Sequence, residues 1–235
     1  MKKFELTAES KINIFGKKLF RIKALISFGD VEEGETGGWI EKEENLEQSS
    51  GNAWVYGNAE VYGNARVYGD AWVYGNVEVY GNARVYGNVE VYGNARVYGD
   101  AEVSGNAWVS GNARVSGDAE VSGNAWVYGN VEVYGNARVY GNAWVSGNAR
   151  VSGDAEVSGN ADYTTIHGFG TQFRTTTFFQ CEDKQIRVSC GCFLGTIPEF
   201  REQVKNTREG KIAEEYLMIA DLMEKHFVKE KESGE

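Results

Sequence analysis

The chain has little of what marks most chemistries. Its 235 residues include two histidines, His167 and His226, three cysteines and one proline. Positive charge is also short, with a formal net charge of −10, and this disfavours a general nucleic-acid binder, which needs a basic footprint. No apolar run approaches the ~18 residues of a membrane-spanning helix. After Lys2-Lys3, the segment Phe4-Glu-Leu-Thr-Ala-Glu-Ser10 breaks any stretch that would serve as a secretory signal. An odd cysteine count without an export signal fits a reducing compartment, so a cytoplasmic location is expected.

Glycine, in contrast, is abundant, and its placement is regular. Nineteen glycines fall six residues apart from Gly51 to Gly159, each opening a hexad of the form Gly-Asn/Asp-Ala/Val-x-Val-Tyr/Ser. A short fixed period means units that cannot bury an apolar side alone and must stack on their neighbours, as in a solenoid. The fourth hexad position reveals a longer period. Taken every third hexad it reads Trp54, Trp72, Glu90, Trp108, Trp126 and Trp144. The second column is Glu60, Glu78, Arg96, Arg114, Glu132 and Arg150, and the third is Arg66, Arg84, Glu102, Glu120, Arg138 and Glu156. Three hexads, or 18 residues, therefore make one coil, and about six coils follow one another. The last hexad position agrees, because Tyr and Ser change in blocks of coils and only the third coil, with Tyr92, Tyr98 and Ser104, is mixed.

Side chains alternate between the faces of a strand. In Ala-x-Val-Tyr the small Ala and Val therefore point inward, and x and Tyr/Ser point outward. The Gly-Asn or Gly-Asp pair is expected to supply the positive-φ residues of a sharp corner, and stacked Asn side chains can hydrogen-bond along the axis. At about 4.8 Å per coil the prism would be roughly 30 Å long.

The ends differ from the repeat. Residues 1–50 are expected to form a β-rich cap, with strands at Phe4-Glu-Leu, Ile12-Asn-Ile-Phe15 and Leu19–Ile26, because an exposed terminal coil must be blocked. Gly37-Gly-Trp-Ile-Glu41 and Asn45-Leu-Glu47 look like degenerate hexads leading into the β-helix, assigned to residues 51–164. Residues 165–235 are expected to form a small α+β module. A hairpin joins Phe178–Cys181 to Ile186–Cys190, a helix starts at the capping-box pair Thr196 and Glu199, and an amphipathic helix runs from Ile212 to Phe227.

Runs such as Gly57-Asn-Ala-Glu-Val-Tyr62 resemble the hexapeptide-repeat proteins, whose fold is a triangular left-handed parallel β-helix. The resemblance implies that hand, whereas the usual preference for right-handed crossovers would give the opposite. Gly29, Gly34 and Gly37–Glu41 before the repeats, with Val188-Ser-Cys-Gly-Cys-Phe-Leu-Gly-Thr196 after them, resemble hexapeptide-repeat proteins encoded by phages and prophages. The hexads are also similar to those of acyltransferases and γ-class carbonic anhydrases. Those enzymes rely on coil histidines or protruding loops, and these coils contain neither, so no enzyme, cofactor or metal is expected.

Cys181, Cys190 and Cys192, with either histidine, have the ligand types of a zinc site, but Cys-x8-Cys-x-Cys is not a zinc-knuckle spacing. Buried thiols are the simpler reading. Twelve acids against six arginines between Gly51 and Asp162 make the solenoid acidic, and the interspersed arginines make it a poor DNA mimic. Regular threonine ranks, which ice binding would call for, are missing from the coils.

The positive signal is one aromatic face. Trp54, Trp72, Trp108, Trp126 and Trp144 would stand beside Tyr56, Tyr74, Tyr92 and Tyr128, with Ser110 and Ser146 completing the second column. Such a column can be an internal stacking ladder, or an outward strip that takes a partner. Like charges also meet along the axis, at Glu60/Glu78, Arg96/Arg114, Arg66/Arg84 and Glu102/Glu120, and something should offset them. The second and third columns are opposite in sign at every level, which two parallel chains would match, although a history of duplicated coils produces the same pattern. An antiparallel dimer through the tryptophan face would place Glu90 against Trp108. The expectation is a non-enzymatic interaction or scaffold protein, a homo-oligomer or the binder of a protein partner. A phage inhibitor of a host defence protein or nucleotide, and a carbohydrate-binding module, are the alternatives.

Overall fold

From Gly51 onward the coils of the computed structural model, which describes residues 2–227, give each hexad one short strand and one corner. Met1 and 228–235, the outermost positions of the two end segments assigned from sequence, lie outside the described residues. The x-Val pairs form three parallel sheets, one per face of the prism. The first runs from Trp54–Val55 to Trp144–Val145, the second from Glu60–Val61 to Arg150–Val151 and the third from Arg66 to Glu156–Val157. Pairing is in register at 18 residues, so Trp108 lies beside Trp126 and Val109 beside Val127. A degenerate turn precedes the six coils. There Trp39 and Ile40 pair with Glu60 and Val61, and Leu46 bridges Val67.

The inward Ala and Val are fully buried in nearly every coil, and they fill one continuous core. Their small size suits the narrow interior: alanine and valine occupy a space that leucine would overpack. The corners correct one expectation. In the coils glycine alone takes positive φ, between +58° and +89° from Gly51 to Gly153, and among the described residues the only non-glycine positions with positive φ are Phe173 and Lys184. The stacking explains why glycine is needed, since a Cβ on Gly111 would sit 2.9 Å from the backbone N and O of Gly129. Asparagine has a different task. Side-chain amides hydrogen-bond coil to coil from Asn58 through Asn76, Asn94, Asn112 and Asn130 to Asn148, at 2.9 to 3.4 Å. An aspartate can only accept, and Asp70, Asp100 and Asp154 stand where Asn52, Asn82 and Asn136 donate to them.

The first and last of the stacked parallel coils leave backbone N–H and C=O groups without a coil neighbour, and buried backbone groups must be paired. At the N-terminal end the cap supplies donors. The N–H groups of Trp39, Glu41 and Glu47 reach Ala59, Val61 and Val67 carbonyls at 2.9 to 3.1 Å. The Asn45 amide donates to Gly63 O and Ala65 O, and Lys3 Nζ donates to Ala53 O at 3.2 Å. At the C-terminal end the chain supplies acceptors instead. Trp144 N–H donates to Asn160 Oδ1 at 2.8 Å, Arg150 N–H to Thr177 Oγ1 at 3.0 Å and Ser158 N–H to Asp162 Oδ2 at 2.9 Å.

The cap continues the second sheet as an antiparallel meander of β1 (Phe4–Ile12), β2 (Lys18–Ala24) and β3 (Thr36–Ile40). Ile12-Asn-Ile-Phe15 is not the separate strand expected from its apolar content. Ile12 ends β1, and Asn13 turns the chain by accepting the N–H groups of Phe15 and Lys17 on its side-chain oxygen at 3.0 Å. After the last coil, Tyr163–Phe169, Arg174–Gln180, Ile186–Cys190 and Phe193–Thr196 form an antiparallel sheet. The middle two are the hairpin read from sequence, and the outer two were not anticipated. Helices α1 (Ile197–Thr207) and α2 (Gly210–His226) cover this sheet through Phe178, Val188, Phe200, Tyr216 and Ile219. Thr196 and Glu199 form the reciprocal capping box of α1. No helix among the described residues is long and apolar enough to cross a membrane.

Candidate functional site

The tryptophan face does not behave as one strip, because its rungs have different neighbours. Trp54 belongs to the first coil, and the cap closes over it. Its ring meets the edges of Phe4 and Phe28 at 6.1 and 5.5 Å, it is 0% exposed, and its indole N–H has no hydrogen-bond partner among the described residues. The outward position expected for Trp54 is therefore corrected: the first coil of a capped solenoid lends its outer side chain to the cap core. The signal was present in Gly37-Gly38. A Cβ on Gly37 would lie 2.7 Å from Trp54 Cζ2, and one on Gly38 would lie 2.6 Å from Val55 Cγ1. Only a glycine pair lets β3 pass this close.

The next rungs are half-buried and self-satisfied. Tyr56 packs between Trp54 and Trp72 at 6.4 and 5.6 Å, and burial, with Glu35 and Asp30 nearby, pushes its hydroxyl up to about 12. Tyr74 stacks on Tyr92 at 5.1 Å and donates its hydroxyl to Glu90 Oε2 at 2.9 Å. Burial first, then that bond, raises the Tyr74 hydroxyl well above its ordinary value. Glu90 thus replaces a rung of the tryptophan column with a hydrogen-bond acceptor, and Tyr92 meets Trp108 edge-on at 6.3 Å. Tyrosine ladders that the sequence reading did not single out run along the other faces as well, Tyr62/Tyr80/Tyr98 and Tyr68/Tyr86, at 4.8 to 5.1 Å.

Beyond Glu90 the column does form a free ladder. Trp108, Trp126 and Trp144 stack at 4.7 and 4.9 Å with their planes within 8° of parallel. Trp108 and Trp126 are half-buried, Trp144 is 47% exposed and Tyr128 beside them is 39% exposed. The neighbours therefore occupy the ring faces, and the edges line the surface. An edge row suits contact with a flat apolar surface. It suits a sugar poorly, because a sugar needs an open ring face, and Trp144 alone, at the end of the stack, has one. The sequence-predicted set thus divides in two: Trp108, Trp126, Trp144 and Tyr128 share one surface, whereas Trp54, Trp72, Tyr56, Tyr74 and Tyr92 are held in internal packing.

The charged columns find their partners within the chain. Glu78 pairs with Arg96 at 2.9 Å, and Glu132 lies between Arg114 and Arg150 at 3.5 and 3.0 Å. In the third column Arg84 meets Glu102 at 2.7 Å and Arg138 meets Glu120 at 3.8 Å. The outermost acids turn to the end segments, Glu60 to Lys11 at 2.8 Å and Glu156 to Lys184 at 2.9 Å. At each like-charge junction both members thus lean away from each other, apart from Arg66, which lies over Tyr68 at 5.8 Å. Such exposed pairs contribute about 0–1 kcal/mol each, enough to offset the junctions. The charge pattern therefore carries no argument for a parallel assembly.

The three thiols lie apart in kind. Cys181 is buried in the solenoid core, Cys190 belongs to the core beneath the helices, and Cys192 is exposed. Buried thiols were expected, and Cys192 departs from that: the strand ends at Cys190, and Gly191, at φ +63°, turns the chain before Cys192. Among the described residues no cluster of histidine, cysteine and carboxylate has the makings of a metal site.

Four stretches of the chain, residues 59–75, 79–93, 90–105 and 133–147, match the family model described as the YdcK beta solenoid repeat. All four lie within the coils. A search of curated proteins finds no match to the chain.

Proposed function

We propose that the chain is a non-enzymatic β-solenoid interaction or scaffold protein that contacts a protein partner, or a second copy of itself, through Trp108, Trp126, Trp144 and Tyr128. The observation that carries this reading is the exposed row of indole edges with Trp144 47% in solvent, since large apolar patches generally mark interfaces. Edge-out indoles favour a protein surface over a carbohydrate, for which only the terminal ring offers a stacking face. The phage or prophage origin and a cytoplasmic setting belong to the same proposal. The origin is supported by the end segments Gly37–Glu41 and Val188–Thr196, and the setting by three cysteines that are all free thiols.

Light scattering of the wild type and of Trp108→Ser/Trp126→Ser, followed by capture of partners on each, tests the proposal. An oligomer that dissociates in the variant, or a partner captured only by the wild type, is the expected result. Unchanged mass together with unchanged capture would sink it.

A further inference from the structure

A cleft of about 590 Å³ opens where the last coil meets the C-terminal sheet and the start of α1. Ser152 lines it. This residue holds the last hexad position of the second face, yet it is 1% exposed and its Oγ has no hydrogen-bond partner among the described residues. A buried hydroxyl left unpaired is costly, so the site has hydrogen-bonding capacity that the described residues do not use. Cys181, also lining the cleft, has its thiol pushed up to about 11 by burial. It is neutral and adds no competing charge.

The walls decide what kind of group fits. Asp154, Glu182, Asp183 and Glu199 face the cleft against one guanidinium, Arg187, which is committed to Asp183 at 2.7 Å. Three carboxylates remain in surplus. The N-terminus of α1 would otherwise attract an anion, but Glu199 already occupies it and accepts the Thr196 N–H at 2.7 Å. One wall is apolar: Leu194 is 47% exposed, and its Cδ2 lies 3.7 Å from the position a Cβ would take on Gly153. The carboxylates alone would be an ordinary acidic surface. The orphaned Ser152 hydroxyl is an independent sign of a ligand position, and the Leu194 wall asks for a carbon chain.

We propose that this cleft binds a primary alkylammonium group, its N–H donors shared between Ser152 Oγ and the surplus carboxylates and its methylenes lying along Leu194. The group could belong to a small free amine or to a lysine side chain. Titration calorimetry at physiological salt with butane-1,4-diamine, pentane-1,5-diamine and N-acetyl-lysine methylamide tests the proposal and separates the sources. Tetramethylammonium, which has no N–H, serves as control.

The expected result is saturable 1:1 binding of at least one primary amine and none of the control. Ser152→Ala should weaken binding about tenfold, a change of ~1.4 kcal/mol, and Asp154→Asn should weaken it several-fold. Tighter binding of a diamine would point to a free amine, and tighter binding of the lysine derivative to a partner's side chain. Ser152→Ala removes an unsatisfied hydroxyl, so its unliganded melting temperature should be unchanged or higher, which separates loss of the site from loss of the fold. No saturable binding, equal binding of tetramethylammonium, or affinity untouched by Ser152→Ala would overturn the proposal.

Discussion

Trp54 and Trp144 hold the same hexad position and differ in what lies beyond their coil. Trp54 is sealed under Phe4 and Phe28, whereas Trp144 ends its stack in solvent. Replacing a buried tryptophan with alanine costs ~3–5 kcal/mol, while loss of a half-exposed ring at the end of a stack costs on the order of 1 kcal/mol. Trp54→Ala should accordingly lower the urea midpoint severalfold more than Trp144→Ala does. Equal shifts would mean that the cap does not close on Trp54. At this scale the hexad told which residues point outward and was silent on which of them stay outside, because that depends on chain segments far away in sequence.

At the scale of the strand, Trp144–Val145 is the last rung of the first sheet, and among the described residues no further strand pairs with it. An open edge is a template for another chain, and here two side chains blunt it. Asn160 Oδ1 accepts the Trp144 N–H, and the Tyr163 hydroxyl donates to the Trp144 carbonyl. Asn160→Ala with Tyr163→Phe removes both and leaves the edge free. Analytical ultracentrifugation should then show association that rises with concentration beyond that of the wild type, while far-UV circular dichroism of the coils is retained. Absence of any added association would mean that the remaining C-terminal segment blocks the edge by itself. The same logic made the cap predictable in kind but not in detail, since Lys3, Asn45, Asn160 and Thr177 act as substitutes for backbone groups of coils that do not exist.

For the whole molecule, the tyrosine ladders set an alkaline limit. Burial raises the hydroxyls of Tyr56, Tyr62 and Tyr74, with Glu78 and Glu90 adding to the effect at the latter two, from an ordinary value of 10.0. A group whose folded value is raised contributes stability that is complete below the unfolded value and is lost as pH climbs through the folded one. The unfolded tyrosines therefore ionise first, and stability should fall from about pH 10 toward pH 12. Lys3 acts in the opposite sense: burial lowers it from 10.5, against the pull of Glu47 and Asp70, so its contribution becomes more favourable as pH rises to that point. Several tyrosines outweigh one lysine. Chemical denaturation at a series of alkaline pH values, followed by tyrosinate absorbance, should show the decline, and Tyr74→Phe should make it shallower. A profile flat to pH 12 would contradict the burial of these hydroxyls.

The sequence by itself determined the coil length, the three faces, the inward Ala and Val and the axial Asn ladders, because each follows from local periodicity repeated in register. It also determined the hairpin and the α1 capping box, which are made by neighbours in sequence. The tertiary structure decided which tryptophans remain at the surface, how Lys11 and Lys184 complete the charged columns, and how Ser152 came to be buried beside a cleft. Those outcomes depend on where the non-repeating ends fold back on the first and last coils. A hydrophobic or unpaired coil end demands a cover, and the period of the coils carries no information about which distant residues provide it.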